Sequence, residues 1–536
     1  MSTKDFLADI LGIVVSEERP GQLTASVAKD KFADAIDELV NARGLVAGVE
    51  AESQEGMAGV GLALVHMFAT DERGESGGYG VHVLIHDDTG HAWLMLSTRV
   101  SADEPSFPAV TPRVMAAYWY ERYIHDMFGI RPEGHPDLRR LVHHEHMPNE
   151  TYPLRKDFKW NAELETAENA YPLQVATGAG VFELTVGPVH AGVAEAAQFC
   201  LSVAGERVIS LDTKVFFAHK GLEKLLEGKE PLSVLPVIER IAGDAAPSHA
   251  LAFSQSLEAL ADCEVTDRAK GLRTLLNELE RITLHVHDLA AVGEAGTGYA
   301  VLASHGFRIE ERLRRLSDEL FGNRFWRGVI VPGGVVRDLN ANELKKIAIT
   351  VNEAIEELED LVKLALKSDG LRDQLEEKGI LKREAALVYG AVGVVARASG
   401  IDRDVRRDHP YAAYDRFVPT ISIKTSGDVY ARLRQRVDEL LESQRLLQEL
   451  CKSPGEGRFF VKCQPKDGRA WSAVEGGRGE TVHVISIKAG LIDRYTIRGP
   501  SFCNWPLLAE LMPDNTLSDF PLCLSSMSLS AADCDL

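Results

Sequence analysis

Five stretches in the second half of the chain repeat apolar residues at three- and four-residue intervals: 247–262, 266–292, 297–321, 341–367 and 427–451. That period puts the apolar side chains on one face of a helix, so each stretch must bury a stripe against a neighbour. Several such helices in one chain predict a bundle. Pro332-Gly333-Gly334 separates the third from the fourth. The first half reads differently. Residues 1–100 alternate short apolar runs with polar turns. Val81 to Ile85, Asp87-Asp88-Thr89-Gly90 and Ala92 to Leu96 together predict a β-hairpin. Residues 112–128, rich in aromatics (Tyr118, Trp119, Tyr120, Tyr123), predict a helix. Glu183 to Gly187 and Phe199 to Ser210 predict strands, with Gly187-Pro188 as a turn signal between them. Strands return at Thr481 to Ile487 and Asp493 to Ile497. The fold class expected is α+β: a small domain over 1–160, a linker over 161–178, and a mainly helical domain with short sheets over 179–536.

Charge limits the partners. Fifty-nine basic against 80 acidic residues give a net charge of −21, which repels phosphate and argues against nucleic acid. No P-loop or G-x-G-x-x-G sequence is present, so no dinucleotide site is expected. The seven cysteines are scattered without a C-x-x-C pair, which predicts reduced thiols and no iron–sulfur cluster on this chain. The first fifteen residues place an acid inside their apolar stretch and are not expected to act as a signal peptide. No apolar run approaches the ~18–20 residues of a membrane helix.

Several motifs are more specific. Glu121 to Ile130, then Gly134-His135-Pro136-Asp137-Leu138-Arg139-Arg140, then Tyr152 to Phe158 form three linked elements in which paired Arg and Asp would fix a loop. Together they resemble the signature of the C-type (30 kDa) component of respiratory complex I. Gly187 to Gly192, His219-Lys220-Gly221-Leu222-Glu223-Lys224-Leu225, Glu280-Arg281-Ile282 and Leu320 to Arg324 continue the resemblance. So do Arg327-Gly328, Val331 to Gly334, Ala396 to Gly400 with Asp404-Val405-Arg406, Gly427 to Arg432, Glu475 to Glu480, and Arg498 to Phe502 with Asn504-Trp505-Pro506. This series, over most of residues 115–536, resembles the large subunit of group 4 nickel–iron hydrogenases and its relative, the D-type component of complex I. A fused C-plus-D chain is the formate hydrogenlyase arrangement.

In that family nickel is held by four thiolates, soft ligands suited to such a metal. In register with the early pair this chain has Ala242 and Ala245, with a histidine following at His249. In register with the late pair it has Ser530 and Asp533; a one-residue slip brings in only Cys534. The resemblance is therefore to members that lack the nickel ligands, and no metal is expected. A harder ion on Asp244, His249 and Asp533 is the chemically allowed exception. The quinone-facing Tyr of the D-type component falls at Gly243, whereas His190 sits in the matching first loop.

The residues expected to act are His190, Glu223, Asp244, His249, Arg397 and Asp404. Glu223 occupies the position of a proton-carrying carboxylate, or is a salt-bridged acid beside Lys220 and Lys224. Arg397 and Asp404 form a charged pair near the cavity. His285, His287 and Asp288 are expected in a satisfied core network, His143-His144-Glu145-His146 in a solvated loop, and Arg478 in an ion-pair loop between Glu475 and Glu480. The resemblance implies a peripheral subunit on the cytoplasmic face of the cell membrane. It would take electrons from a 4Fe–4S cluster in a small iron–sulfur partner, similar to the B-type component of complex I. Its other partners would be a ferredoxin-like subunit and ion-translocating membrane subunits, to which the electron flow is coupled. This chain would bind no cofactor itself. The alternatives are a non-catalytic scaffold, and, further off, an active hydrogenase or NADH-quinone oxidoreductase subunit.

Overall fold

The computed structural model describes residues 3–41, 62–88, 91–190, 195–295 and 297–536. Strands β1 (Ser16–Arg19), β2 (Gln22–Ser26), β3 (Leu62–Glu72), β4 (Gly78–Asp87) and β5 (Ala92–Ser101) form one sheet in the order β1-β2-β5-β4-β3. The predicted hairpin is β4–β5, paired from Gly78↔Ser101 to Asp87↔Ala92; Thr89 and Gly90 of its turn lie outside the described residues. Strand β4 is buried along its whole length. Val81, Val83 and Ile85 join the main core. The alternate residues His82, Leu84 and His86 point to the opposite face, as the two-residue period of a strand requires. That face is covered as well. Val65, Phe68, Leu84 and Met95 pack with Trp471, Ala473, Val482, Val484 and Val405, making a second core at the seam between the two halves of the chain.

Two short pairing strands, β6 (Ser106–Pro108) and β7 (Arg131–Glu133), flank helix α1 (Tyr118–Phe128). The helix begins later than the 112 expected, because a 3-10 turn occupies Met115–Ala117. Residues 159–177 carry no regular structure. The segment predicted as one strand over 199–210 is two. Gly205, at φ +65°, turns β9 (Gln198–Ala204) back onto β10 (Arg207–Lys214), beside β8 (Val181–Val186).

The five periodic stretches are five helices: α2 (Ala246–Ala261), α3 (Asp267–Glu294), α4 (Ala300–Phe321), α5 (Ala341–Ala365) and α6 (Val429–Lys452). Three of them start on side-chain caps. Thr266 accepts from Ala269 N–H, Asp428 accepts from Ala431 N–H, and Asn340 with Glu343 forms a capping box. Helix α3 is the axis, packed against α4 and α6, while α5 closes on the outer side of both. The Pro-Gly-Gly break becomes the tight pair β11 (Ile330–Val331) and β12 (Gly334–Val335). Helix α2 lies on a three-stranded sheet of β13 (Gly468–Glu475), β14 (Glu480–Lys488) and β15 (Leu491–Arg498). Strand β13 was not anticipated. Its alternation is interrupted by Gly468 and Arg469, and its burial on both faces comes from the seam.

The cysteine expectation is corrected. Cys263 and Cys463 form a disulfide across 200 residues of sequence, while Cys200, Cys451, Cys503, Cys523 and Cys534 are free thiols. Local spacing carries no signal for a pair that only the fold brings within 5.8 Å between Cα atoms.

Gly271 shows how tightly the α3 axis is enclosed. A Cβ there would overlap the Pro454 carbonyl. Helix propensity alone favours alanine by about 1 kcal/mol. We expect Gly271→Ala instead to destabilise the chain by about 1–3 kcal/mol in urea unfolding, as overpacking does. Unchanged or increased stability would show that the contact relaxes freely.

Candidate functional site

The two loops that would hold a metal in the resembled family do meet. Lys220 Nζ donates to the Ala532 carbonyl at 2.9 Å and to the Ile241 carbonyl at 3.4 Å. The Glu195 carboxylate accepts from Ser530 Oγ–H at 3.0 Å and from the Ala531 and Ala532 N–H groups. Arg478 spans the gap: its two terminal nitrogens reach Asp244 at 2.8 and 2.6 Å, and its Nε donates to the Ser528 carbonyl at 2.7 Å. Burial would raise the Asp244 carboxyl, but this guanidinium holds it well below the usual carboxylate range. Arg478 is an ion-pair residue, as expected, yet its partners are these loops; Glu475 and Glu480 are paired elsewhere, with Arg397 and Arg498.

Ala242, Ser530 and Asp533 are buried at the same place. The donor set does not suit a nickel–iron centre. Two alanines offer no lone pair, and Asp533 Oδ2 already accepts from Ser501 N–H at 3.1 Å. The harder-ion alternative also fails. Among the described residues, Asp244, His249 and Asp533 do not converge as a three-ligand group, and Asp244 is clamped by Arg478.

His249 is fully buried on α2, in a chain of polar groups that sequence reasoning missed. The Tyr495 hydroxyl bonds His483 Nδ1, His483 Nε2 lies 3.0 Å from His249 Nδ1, and His249 Nε2 faces Asp533 Oδ1 at 3.5 Å. One set of tautomers lets every member donate forward, from the tyrosine to the carboxylate. Burial drives His483 well below the ordinary histidine range. Burial would raise Asp533, but the His249 bond and charge outweigh it and pull it down. His483 and Tyr495 stood on predicted strands; only the pairing of β14 with β15, and of both with α2, shows that they share a face.

Glu223 lies apart from this chain of groups. It is buried, and neither Lys220 nor Lys224 pairs with it: Lys220 holds the loops and Lys224 pairs with Glu227. Tyr123 O–H donates to Glu223 Oε2 at 3.0 Å, and Ile497 N–H donates to Oε1 at 3.2 Å. Burial pushes the acid up, against the Arg494 charge and the Thr496, Tyr123 and Ile497 bonds. Thr496 Oγ1 continues to His66 Nε2 at 3.1 Å. Glu223, His66, Tyr120, Tyr123, Thr496 and Arg498 line a small cavity at the seam. Tyr495 and Thr496 are consecutive, so Glu223 and His249 face opposite sides of β15.

Arg397 and Asp404 stand 3.3 Å apart inside a larger buried network. Arg397 also bonds Glu475 at 2.9 Å and Glu439 at 2.8 Å. Arg406 joins Asp404 at 2.7 Å and Glu278 at 3.0 Å, and Arg281 approaches Glu439 at 3.5 Å. Three guanidiniums face four carboxylates. Burial, then the Asp404 charge, pushes Glu475 up to about 7. His285 belongs here, 3.1 Å from Glu439, and Asp288 pairs with Arg436 at 2.9 Å. His287 instead leaves the core to bond Glu310 at 2.8 Å.

His190 is not drawn into either cluster. Its ring bonds the Ala197 carbonyl at 2.7 Å and stands beside Phe199, while Ala191 and Gly192 of its motif lie outside the described residues. The solvated-loop expectation for 143–146 holds in part: the segment is irregular and His146 is exposed. His143 is buried, His144 bonds the Val215 carbonyl at 2.8 Å, and Glu145 pairs with Lys214 at 2.6 Å. This segment lines a cleft of about 460 Å³ together with Phe217, His219 and Lys220.

Known proteins are similar to this chain. Residues 297–466 and 460–536 match the respiratory-chain NADH dehydrogenase 49 kDa subunit family, and residues 52–164 match the 30 kDa subunit family. Component G of hydrogenase-4 from Escherichia coli (strain K12) is 30% identical over 526 residues, 96% of this chain and 89% of that one. The chain belongs to the large-subunit family shared by group 4 hydrogenases and complex I. Formate hydrogenlyase subunit 5 of the same organism is 30% identical, covering 86% of this chain and 82% of its own length. The C/D subunit of NADH-quinone oxidoreductase from Phocaeicola vulgatus is 28% identical, covering 75% and 82%. Among solved structures, a chain of the membrane-bound sulfane sulfur reductase, an archaeal respiratory membrane complex, superposes with a TM-score of 0.62 at 26% identity, covering 67% of this chain and 99% of that one. No helix among the described residues is long and apolar enough to cross a membrane.

Glu280, buried on α3, supplies a test of the electrostatics. It accepts from Ser248 N–H at 3.2 Å and from the Ser248 hydroxyl; burial raises it to about 8 against those bonds, with the Asp244 charge adding. A raised folded-state value contributes stability that is fully present below pH 4.5 and lost as pH rises to about 8. We expect the unfolding free energy of the wild type, relative to Glu280→Gln, to fall across that window in urea titrations. A flat difference would contradict a neutral Glu280.

Proposed function

We propose that this chain is the peripheral large subunit of a membrane-associated redox complex, working without a nickel–iron centre. A 4Fe–4S cluster in a small partner protein delivers electrons beside the 241–249 and 528–536 loops, and a small acceptor takes them with protons. The carrying observation is Glu223: a buried acid held above its ordinary range, bonded to Tyr123 and Thr496, where a proton can be stored and passed on. The Tyr495–His483–His249–Asp533 chain supports a second proton route, ending at the position of the family's late metal ligands. Loss of donors at Ala242 and Ala245 supports chemistry on an organic or sulfur acceptor over hydride chemistry on nickel. The buried charge network of Arg397, Asp404, Glu439 and Glu475 is the element that would respond to charge arriving at the cavity. Ion-translocating membrane subunits would read that response. A ferredoxin-like subunit upstream and attachment at the cytoplasmic face of the membrane complete this reading.

The same two alanines favour one other reading, a scaffold that holds the cluster-bearing partner on the membrane arm. Turnover separates the two. With reduced methyl viologen as donor and a quinone analogue, polysulfide or protons offered as acceptor, the assembled complex should lose activity about tenfold or more in Glu223→Gln and in His249→Ala. Assembly, checked by gel filtration, should be intact. Wild-type turnover in both variants would overturn the catalytic reading and leave the scaffold.

A further inference from the structure

One buried cluster lies outside the proton routes. At the seam, His86 and Asp88 stand at the end of β4, and His409 follows the short helix Val405–Asp408 of the second half. All three are at most 8% exposed. His86 Nδ1 lies 3.2 Å from His409 Nε2; His409 Nε2 lies 3.4 Å from Asp88 Oδ1, and His86 Nδ1 contacts that same oxygen. Two imidazole nitrogens and a carboxylate oxygen thus converge on one point, all within 4.8 Å of one another.

The spacing suits a small cation. With bonds of about 2.0–2.1 Å, a tetrahedral ion has ligand–ligand edges of roughly 3.3–3.4 Å. The His86–His409 and His409–Asp88 separations have that length. The His86–Asp88 contact is shorter and has only to open. Among the described residues, the Asp88 carboxylate is met by the His86 and His409 rings and the Arg403 charge, with no backbone N–H or hydroxyl on it. The rings are held from behind by Trp93, whose centroid lies 5.3 Å from that of His86 and 4.7 Å from that of His409. The surrounding charge admits a cation. Arg403 is 3.9 Å from Asp88 but is shared with Glu480 at 3.6 Å, and Asp408 adds a further carboxylate, itself paired with Arg407.

The geometry points to a divalent transition-metal site, of zinc class, on His86, Asp88 and His409, with water as the fourth ligand. Imidazole and carboxylate suit such ions. Its ligands come from both halves of the chain, so the ion staples the amino-terminal sheet to the second half. The site is separate from the 241–249 and 528–536 loops and does not depend on the reading of them.

Cobalt(II) is the probe. Titrated into the purified full chain, it should give tetrahedral d–d bands that saturate at one equivalent and are displaced by zinc. Zinc in excess should raise the melting temperature by several degrees. Both effects should be lost in His409→Gln and in Asp88→Asn. Absence of the bands, or bands that persist in either variant, would overturn the site. If the variants fail to fold, X-ray absorption of the zinc-loaded wild type decides. Two imidazoles with oxygen ligands are expected; a sulfur-containing shell or a hexaaqua ion overturns the assignment.

Discussion

The guanidinium of Arg397 is almost entirely hidden from solvent, and the second half of the chain is organised by what that requires. A desolvated cation costs several kcal/mol unless it is paired and fully hydrogen-bonded. Its partners come from three places far apart in the sequence: Glu439 on α6, Glu475 at the end of β13, and Asp404 in the loop after Gly400. Arg406 and Arg281 extend the same cluster to Glu278 on α3. Helix bundle, sheet and loop are thereby fixed at one point. Four acids share three guanidiniums there, with His285 bonded to Glu439. Burial, then the Asp404 charge, pushes Glu475 up to about 7.

The loops at 241–249 and 528–536 are held by charge in a similar way. Arg478 grips Asp244 on one loop and the Ser528 carbonyl on the other, and Lys220 ties Ile241 to Ala532. These contacts join the two loops through protein groups. Beside them the Tyr495–His483–His249–Asp533 chain is a set of proton donors and acceptors. On the proposed reading that is its purpose: electrons arrive from a neighbouring protein, and this chain supplies shape, charge and protons.

Much of the helical scaffold was legible in the sequence, because a 3.6-residue apolar period over 15 residues or more arises from little besides a buried helix face. The five long helices, the β4–β5 hairpin and the strands at 480–498 are local patterns. What escaped was set by tertiary contact. Strand β13 is buried on both faces by the seam, so it lacks the alternation that marks a half-exposed strand. Cys263 and Cys463 pair across 200 residues of sequence. The site shows the same division. Motifs pointed to Glu223, Asp244, His249, Arg397 and Asp404, but of their contacts only the Arg397–Asp404 pair was anticipated. His483 and Tyr495 look ordinary on a strand until α2 brings His249 against them. His190, chosen by its motif alone, bonds the Ala197 carbonyl just before β9.

The central claim is that this protein works around a cavity of fixed charge and mobile protons, with no nickel. Elemental analysis of the purified complex, partner subunits retained, tests it most directly. The account predicts iron in cluster amounts and nickel at background. Stoichiometric nickel would mean that ligands other than Ala242, Ala245, Ser530 and Asp533 hold a metal there, and would contradict the account.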